Sequence, residues 1–180
     1  MDNISAFSDK LEEYKIKENY EIDDLIEDRV EKIQKKFSNI DDRYSPAHLG
    51  RENGRKLYSL IREEKPELMI ETGVSNGLST FIILKALEKN DKGKLFSVDL
   101  PAIVGSKDFS KDRTSAVIPP EKRPGWIVQE ELKDRWELTI GNTFYETPKT
   151  LEKVGTIDIF LHDSDQDRKS TRLNSSHRLR

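Results

Sequence analysis

The stretch LMIETGVSNGLST, residues 68–80, decides the fold because it joins a strand, a turn and a helix without interruption. Leu68-Met69-Ile70 is a short apolar run of the kind that forms a buried strand. Gly73 and Gly77 follow it and indicate a tight turn. Apolar side chains then recur at helical spacing over residues 78–87, which predicts a helix. A strand that passes through a glycine turn into a helix is the first half of a βαβ unit.

The chain around this stretch continues the alternation of strands and helices. Further strands are predicted at residues 94–99, 136–140 and 157–161, with a helix at 147–153 and a long, proline-containing excursion at 101–134. Apolar spacing also predicts an N-terminal helix through residues 22–33 and a second helix that begins at Ser45-Pro46 and ends at Glu64. Strands that alternate with helices predict an α/β fold with a parallel sheet.

The composition excludes several classes of protein. At 180 residues, with 34% hydrophobic and 36% charged side chains, the chain has the length and polarity of one soluble domain. It contains no cysteine, which excludes disulfides and thiolate chemistry. No apolar run approaches the roughly 18 residues of a membrane span, and no secretory signal is visible. Residues 1–166 are acidic on balance, so we expect a cytoplasmic protein without membrane or nucleic-acid partners.

The glycine turn and two carboxylates predict a site for an adenosine-containing ligand. Backbone N–H groups of such a turn can face a ligand, and the glycines allow close approach. Asp99 ends the next strand, 22 residues after Gly77, where a carboxylate can accept hydrogen bonds from both hydroxyls of a ribose. Glu71 stands at the entrance of the turn, where its charge suits a cationic ligand better than a pyrophosphate. The pattern favours S-adenosylmethionine and leaves an NAD-dependent oxidoreductase or epimerase as the alternative.

Several separated motifs occur together in this chain. They are Glu71-Thr72-Gly73, Gly77, Ser79-Thr80, Gly125-Trp126, Val128, Glu131-Leu132, residues 134–138, Gly141 and residues 157–165. In this order they resemble the class I S-adenosylmethionine-dependent methyltransferases. The resemblance covers residues 45–165, and Asn142 stands where an aspartate is usual. A non-catalytic relative that binds the cofactor without transferring a methyl group is a further alternative.

This resemblance implies a Rossmann-like sheet and a set of cofactor contacts. The chain would supply the first four strands in the order 3-2-1-4, preceded by N-terminal helices. Asp99 would bind the ribose, while Gly141 and Asn142 would lie near the adenine. The implied cofactor-binding residues are Glu71, Gly73, Gly77, Ser79, Asp99, Gly141, Asn142 and Asp163.

The acidic turn after the fourth predicted strand is the candidate catalytic site. Asp163 and Asp165 follow that strand, at the edge where open α/β sheets bind ligands. Either carboxylate could orient or deprotonate a hydroxyl of a small-molecule or glycan acceptor, and the pair could hold a divalent cation such as Mg²⁺. The plainer interpretation is a turn that caps the next helix. We expect His162 to be a packed, hydrogen-bonded residue and Trp126 and Trp136 to be structural aromatics.

The last residues have a different character. Residues 167–177 read DRKSTRLNSSH, which is the translation of a widely used sequencing adapter read from its second base. We therefore expect a helical segment at 1–44, a partial methyltransferase domain at 45–166 and a non-native tail at 167–180. Gln166 is then the junction, and its codon leaves histidine or glutamine open as the native residue. A sheet cut after its fourth strand has an uncovered apolar edge, so we expect this polypeptide to fold poorly and to be inactive.

Overall fold

The computed structural model of the protein describes residues 20–41, 44, 46, 49–105 and 117–163. The helices in this part of the chain are α1 (Tyr20–Phe37), α2 (Arg51–Glu64), α3 (Leu78–Lys89) and α4 (Thr143–Val154), with a 3₁₀ helix at Glu130–Arg135. The strands are β1 (Leu68–Thr72), β2 (Lys94–Asp99), β3 (Ala102–Ile103), β4 (Val117–Ile118), β5 (Trp136–Ile140) and β6 (Ile159–His162). None of the described helices combines the length and apolar character needed to cross a membrane.

The main sheet is parallel and has the strand order β5-β2-β1-β6. In chain order these are the third, second, first and fourth strands of the sheet, so the predicted Rossmann-like order 3-2-1-4 is confirmed. The short strands β3 and β4 form a separate parallel pair inside the long excursion. Because all four main strands run in one direction, their carboxyl ends meet at one edge.

The core lies between this sheet and the first three helices. Helix α3 is apolar nearly all round, and Phe81, Ile82 and Leu84 are fully buried. Such a helix is typical of a position enclosed by other elements, and α3 packs against both α2 and α1. This central helix carries the glycine turn at its N-terminus, so the best-packed element of the fold positions the turn.

Helix α1 is the predicted N-terminal amphipathic helix, and it packs through Ile22, Ile26 and Ile33, which are buried. A charged contact supports this packing. The guanidinium of Arg55 in α2 donates from Nε to Oδ1 of Asp23 at 2.6 Å and from Nη2 to Oδ2. This two-point contact holds the pKa of Asp23 below its ordinary value. The first two helices are therefore joined by an ion pair beside their apolar contact.

We expect Asp23→Ala to lower the free energy of unfolding by about 2 kcal/mol, because it leaves Arg55 without its two-point partner in a partly buried setting. Urea denaturation followed by circular dichroism measures this cost. Asp24→Ala is the matched control, since Asp24 is the exposed neighbour on the same helix. Equal midpoints for the two variants would contradict the assignment.

Several element boundaries differ from those predicted. Pro46, Leu49 and Gly50 are not helical, and α2 begins at Arg51 with Gly50 as its N-cap, so the predicted start at Ser45-Pro46 is wrong. Helix α4 begins one turn earlier than predicted, because Asn142 caps it. Strand β6 begins later than predicted, since Asp158 bends its side chain back to accept hydrogen bonds from the backbone of Glu67 and Leu68. The proposed boundary at residue 166 and Asp165 lie outside the described residues.

Candidate functional site

The carboxyl edge of the sheet brings the predicted site residues of four strands together. Gly73 donates its N–H to the carbonyl of Val98 at 3.0 Å, which joins the ends of β1 and β2. Gly141 donates to the carbonyl of Asp99 at 2.9 Å, and Asp163 donates to the carbonyl of Thr72 at 2.9 Å. These three backbone hydrogen bonds connect the carboxyl ends of adjacent strands: β1 with β2, β2 with β5, and β1 with β6. The residues predicted from separate parts of the sequence therefore line one edge.

The glycine turn after β1 is held by the carboxylate of Asp99. Gly73 and Gly77 have φ values of 86° and 98°, a conformation that favours glycine. Oδ2 of Asp99 accepts a hydrogen bond from the N–H of Ser75 at 3.2 Å, and the N–H groups of Val74 and Leu100 also bond to this side chain. Burial raises the pKa of Asp99, and the three amides oppose that rise. The acid at the end of β2 thus lies directly against the turn.

Glu71 is fully buried, and both of its carboxylate oxygens have protein partners. Oε1 accepts from the hydroxyl of Ser79 at 2.6 Å, and Oε2 accepts from Thr80 at 2.7 Å and from Ser97 at 2.8 Å. Burial raises the pKa of Glu71 to about 7, against the effect of the three hydroxyls. In this conformation neither Glu71 nor most of Ser79 is exposed at the edge, so their direct contact with a ligand stays a prediction.

Gly141 and Asn142 connect β5 to α4. A Cβ on Gly141 would lie 2.6 Å from Cγ of Glu146, so a larger residue would displace that side chain. Oδ1 of Asn142 accepts a hydrogen bond from the N–H of Phe144 at 2.9 Å, which caps the helix. This capping role is not among the predictions from the sequence, although an asparagine just before a helix is its usual signal.

An exposed apolar group borders the buried carboxylate of Asp99. Leu100 is 58% exposed, Ile140 is 55% exposed and Phe144 is 54% exposed. Leu100 follows Asp99 directly, Ile140 is the register partner of Asp99 in β5, and Phe144 is the second residue of α4. A buried carboxylate beside exposed apolar side chains has the chemistry that a nucleoside requires, because the sugar hydroxyls are polar and the faces of the base are not.

The end of β6 lies beside the end of β1. Nδ1 of His162 is 2.6 Å from the hydroxyl of Thr72, and its ring stacks on Phe160 with 6.0 Å between ring centroids. The side chain is hydrogen-bonded, as predicted, but it is exposed and not packed in the core. Asp163, the next residue, is also exposed. Among the described residues no group of three or more potential ligands could hold a metal ion. Asp165 lies outside them, so the proposed Asp163–Asp165 cation site stays a prediction.

The sheet order, the glycine turn and the acid at the end of β2 define an α/β domain of the type that binds nucleotide-like cofactors. Residues 70–177, more than half of the chain, match the model of a family described as a methyltransferase domain. The chain therefore belongs to this methyltransferase family. No curated protein matches the chain significantly.

Solved structures of methyltransferases share the fold. The chain is similar to the SAH-bound methyltransferase PaMTH1 of Podospora anserina, with 18% identity, a TM-score of 0.50 and coverage of 83% of this chain and 54% of that one. An O-methyltransferase of Bacillus cereus in complex with SAH has 15% identity, a TM-score of 0.51 and coverage of 83% and 58%. The O-methyltransferase TomG of Streptomyces achromogenes, involved in tomaymycin synthesis and solved with SAM, has 16% identity, a TM-score of 0.50 and coverage of 83% and 57%. The chain thus spans little more than half the length of these structures.

Proposed function

We propose that the chain is part of an S-adenosylmethionine-dependent methyltransferase that methylates a hydroxyl of a small-molecule or glycan-type acceptor. The observation that carries this proposal is the buried carboxylate of Asp99, which lies against the glycine turn and beside exposed apolar side chains. The family match supports methyl transfer, and similar structures solved with SAM or SAH support the cofactor. The neighbours named as O-methyltransferases support an oxygen acceptor.

The residues present fit the cofactor in their chemistry. Asp99 would accept hydrogen bonds from the ribose hydroxyls, and Leu100, Ile140 and Phe144 would contact the faces of the adenine. Gly73 and Gly77 would let the backbone approach the amino-acid part closely, as expected from their conformation. When bound, the cofactor supplies a methyl group on an electrophilic sulfonium. Glu71 would act from the interior at a pH above about 7, where it is ionised and its negative charge complements a cationic ligand.

The acceptor would bind at the ends of β1 and β6. Methyl transfer is an in-line displacement, so alignment of the acceptor oxygen supplies much of the rate. Asp163 is exposed at this edge and would take or orient the acceptor proton. With Asp165 as a second carboxylate it would hold a divalent cation such as Mg²⁺, which would stabilise negative charge on the acceptor oxygen. Activity assays of the longer parent protein with EDTA and with added Mg²⁺ test the cation. The cytoplasmic location expected from the sequence stays a prediction.

Asp99→Asn is expected to weaken binding of S-adenosylhomocysteine roughly 10- to 100-fold, because the charge-assisted hydrogen bonds to the ribose become neutral ones. Isothermal titration measures the affinity. Asp91→Asn is the matched control: Asp91 is exposed, and its φ of 48° is one that asparagine adopts readily. Tighter binding of NAD than of S-adenosylhomocysteine by the longer parent protein would favour the oxidoreductase alternative and overturn the proposal.

We further propose the division of the chain at residue 166, with adapter-derived sequence from Asp167 onward and an inactive polypeptide as the consequence. The family match extends to residue 177, so it overlaps the residues assigned to the adapter. Sequencing the intact gene through codon 166 tests the division. An uninterrupted genomic reading frame that encodes DRKSTRLNSSH would overturn the division. Methyl transfer by the 180-residue chain would overturn the proposed inactivity.

A further inference from the structure

Trp136, at the start of β5, is connected to the glycine turn through hydrogen bonds. Its Nε1 donates to the hydroxyl of Ser97 in β2 at 2.9 Å. That hydroxyl donates in turn to Oε2 of Glu71 at 2.8 Å, and the same carboxylate accepts from Ser79 and Thr80 in the first turn of α3. The chain of bonds therefore crosses the sheet from β5 through β2 to β1. It ends on the helical turn that follows Gly77.

Trp136 is connected to the same turn through direct packing. A Cβ placed on Gly125 would lie 2.2 Å from Cη2 of the Trp136 indole, so the backbone of Gly125 rests on the ring. On its other side, Gly125 meets the turn: a Cβ on Gly77 would lie 2.5 Å from Cα of Gly125. The N–H of Gly125 donates to the carbonyl of Ser75 at 2.9 Å. The indole, Gly125 and Gly77 thus form a stack in which neither glycine can gain a side chain without displacement.

Both connections end at residues 75–80, but one consists of hydrogen bonds and the other of direct packing. The hydrogen-bonded connection passes through Ser97 and Glu71, while the packing connection passes through the backbone of Gly125. Trp136 is half-buried and belongs to the margin of the hydrophobic core. A tryptophan at this place combines a flat face for the glycine backbone with one N–H donor, which phenylalanine lacks.

We propose that Trp136 is a positioning residue that fixes the glycine turn in the conformation required for cofactor binding. It acts through Gly125 by packing and through Ser97 by hydrogen bonding. This inference rests on the proposed function for the identity of the ligand, although the effect on the turn itself does not depend on any ligand.

Trp136→Phe tests the proposal because it removes the N–H and shortens the ring that supports Gly125. We expect the amides of residues 75–81 to exchange about tenfold faster in hydrogen-exchange mass spectrometry, and the affinity for S-adenosylhomocysteine to fall about tenfold. Ser97→Ala interrupts only the hydrogen-bonded connection and should show a smaller change in both measurements. Asp23→Ala is the control for general destabilisation, since it weakens the α1–α2 contact far along the chain from the turn.

The packing connection has its own test. Gly125→Ala pushes a methyl group into the indole, so it should accelerate exchange at residues 75–81 and weaken binding. In a Trp136→Phe background the shorter ring makes room for this methyl group, while the backbone strain of an alanine at the Gly125 φ of 72° is unchanged. We therefore expect the added effect of Gly125→Ala to be smaller in that background but not to vanish.

The outcomes separate the two proposals. If Trp136→Phe leaves exchange at residues 75–81 within about twofold of the unchanged protein, the positioning role is wrong, whether or not a ligand binds. An equal acceleration in Asp23→Ala would also overturn it, because the effect would then be general destabilisation. If exchange responds as expected but the longer parent protein does not bind S-adenosylhomocysteine, the proposed function fails and the positioning of the turn stands.

Discussion

Replacing Gly77 by alanine is expected to lower the free energy of unfolding by about 4 kcal/mol and to abolish measurable binding of S-adenosylhomocysteine. Two costs add at this position. The φ of 98° is strained for any residue with a Cβ, at about 1–2 kcal/mol. The new Cβ would also lie 2.5 Å from Cα of Gly125, a backbone atom that cannot rotate away, and such overpacking costs about 1–3 kcal/mol.

Gly105→Ala is the matched control for the backbone strain alone. Gly105 has a φ of 78°, and a Cβ there would meet nothing within 4 Å. Urea denaturation of the two variants and the unchanged protein separates the strain from the contact. A cost for Gly77→Ala no larger than that for Gly105→Ala would mean that the Gly77–Gly125 contact relaxes freely. That result would also weaken the proposed role of Trp136.

The sheet could be predicted from the sequence because its signals are local. The apolar run at 68–70, the run at 94–99 and the strand at 136–140 each carry their own pattern, and the glycine turn fixes the first connection. Parallel pairing and strand order then followed from the alternation with helices and from the family resemblance. The pattern misplaces boundaries that a single residue sets, such as the caps at Gly50 and Asn142.

The interior partners of Glu71 could not be assigned from the sequence. Ser79 and Thr80 in the first turn of a helix are equally suited to a ligand and to a neighbouring carboxylate, and nothing local distinguishes the two. Ser97 gives the better signal, since a hydroxyl in the middle of the apolar strand LFSVD must find a buried partner. Combining it with the acid on the adjacent strand would have predicted the contact.

The packing of Gly125 and Trp136 against the glycine turn could not be predicted from the sequence, for a different reason. Gly125 lies within the excursion after β2 and Trp136 follows it, so no spacing rule relates either residue to Gly77. Trp126, adjacent to Gly125, donates from Nε1 to Oδ1 of Asn76 at 2.7 Å, which adds a further long-range contact to the same turn. The two tryptophans are predicted to be structural aromatics. Their indole N–H groups hydrogen-bond to Asn76 in the glycine turn and to Ser97, which in turn contacts Glu71.

Glu71 is expected to make the stability of the protein depend on pH, with the opposite sign to an ordinary ion-paired carboxylate. Its pKa in the folded state is raised to about 7 from 4.5, chiefly by burial, with the nearby charge of Asp99 acting in the same direction. The folded protein therefore binds this proton more tightly than the unfolded chain does. The resulting stabilisation is fully present below pH 4.5 and is lost as the pH rises through about 7. The expected loss is about 3 kcal/mol.

Glu71→Gln removes this titration while keeping the shape of the side chain. The difference in free energy of unfolding between the variant and the unchanged protein should therefore shift by about 2.5 kcal/mol between pH 5 and pH 8, in favour of the variant at the higher pH. Urea denaturation at a series of pH values measures the difference, and Glu63→Gln, at an exposed position of α2, gives the baseline. A difference that stays constant with pH would show that the hydroxyls of Ser79, Thr80 and Ser97 outweigh burial and keep Glu71 ionised throughout. The carboxylate would then be a permanent negative charge beneath the turn, which is the state that a cationic ligand requires.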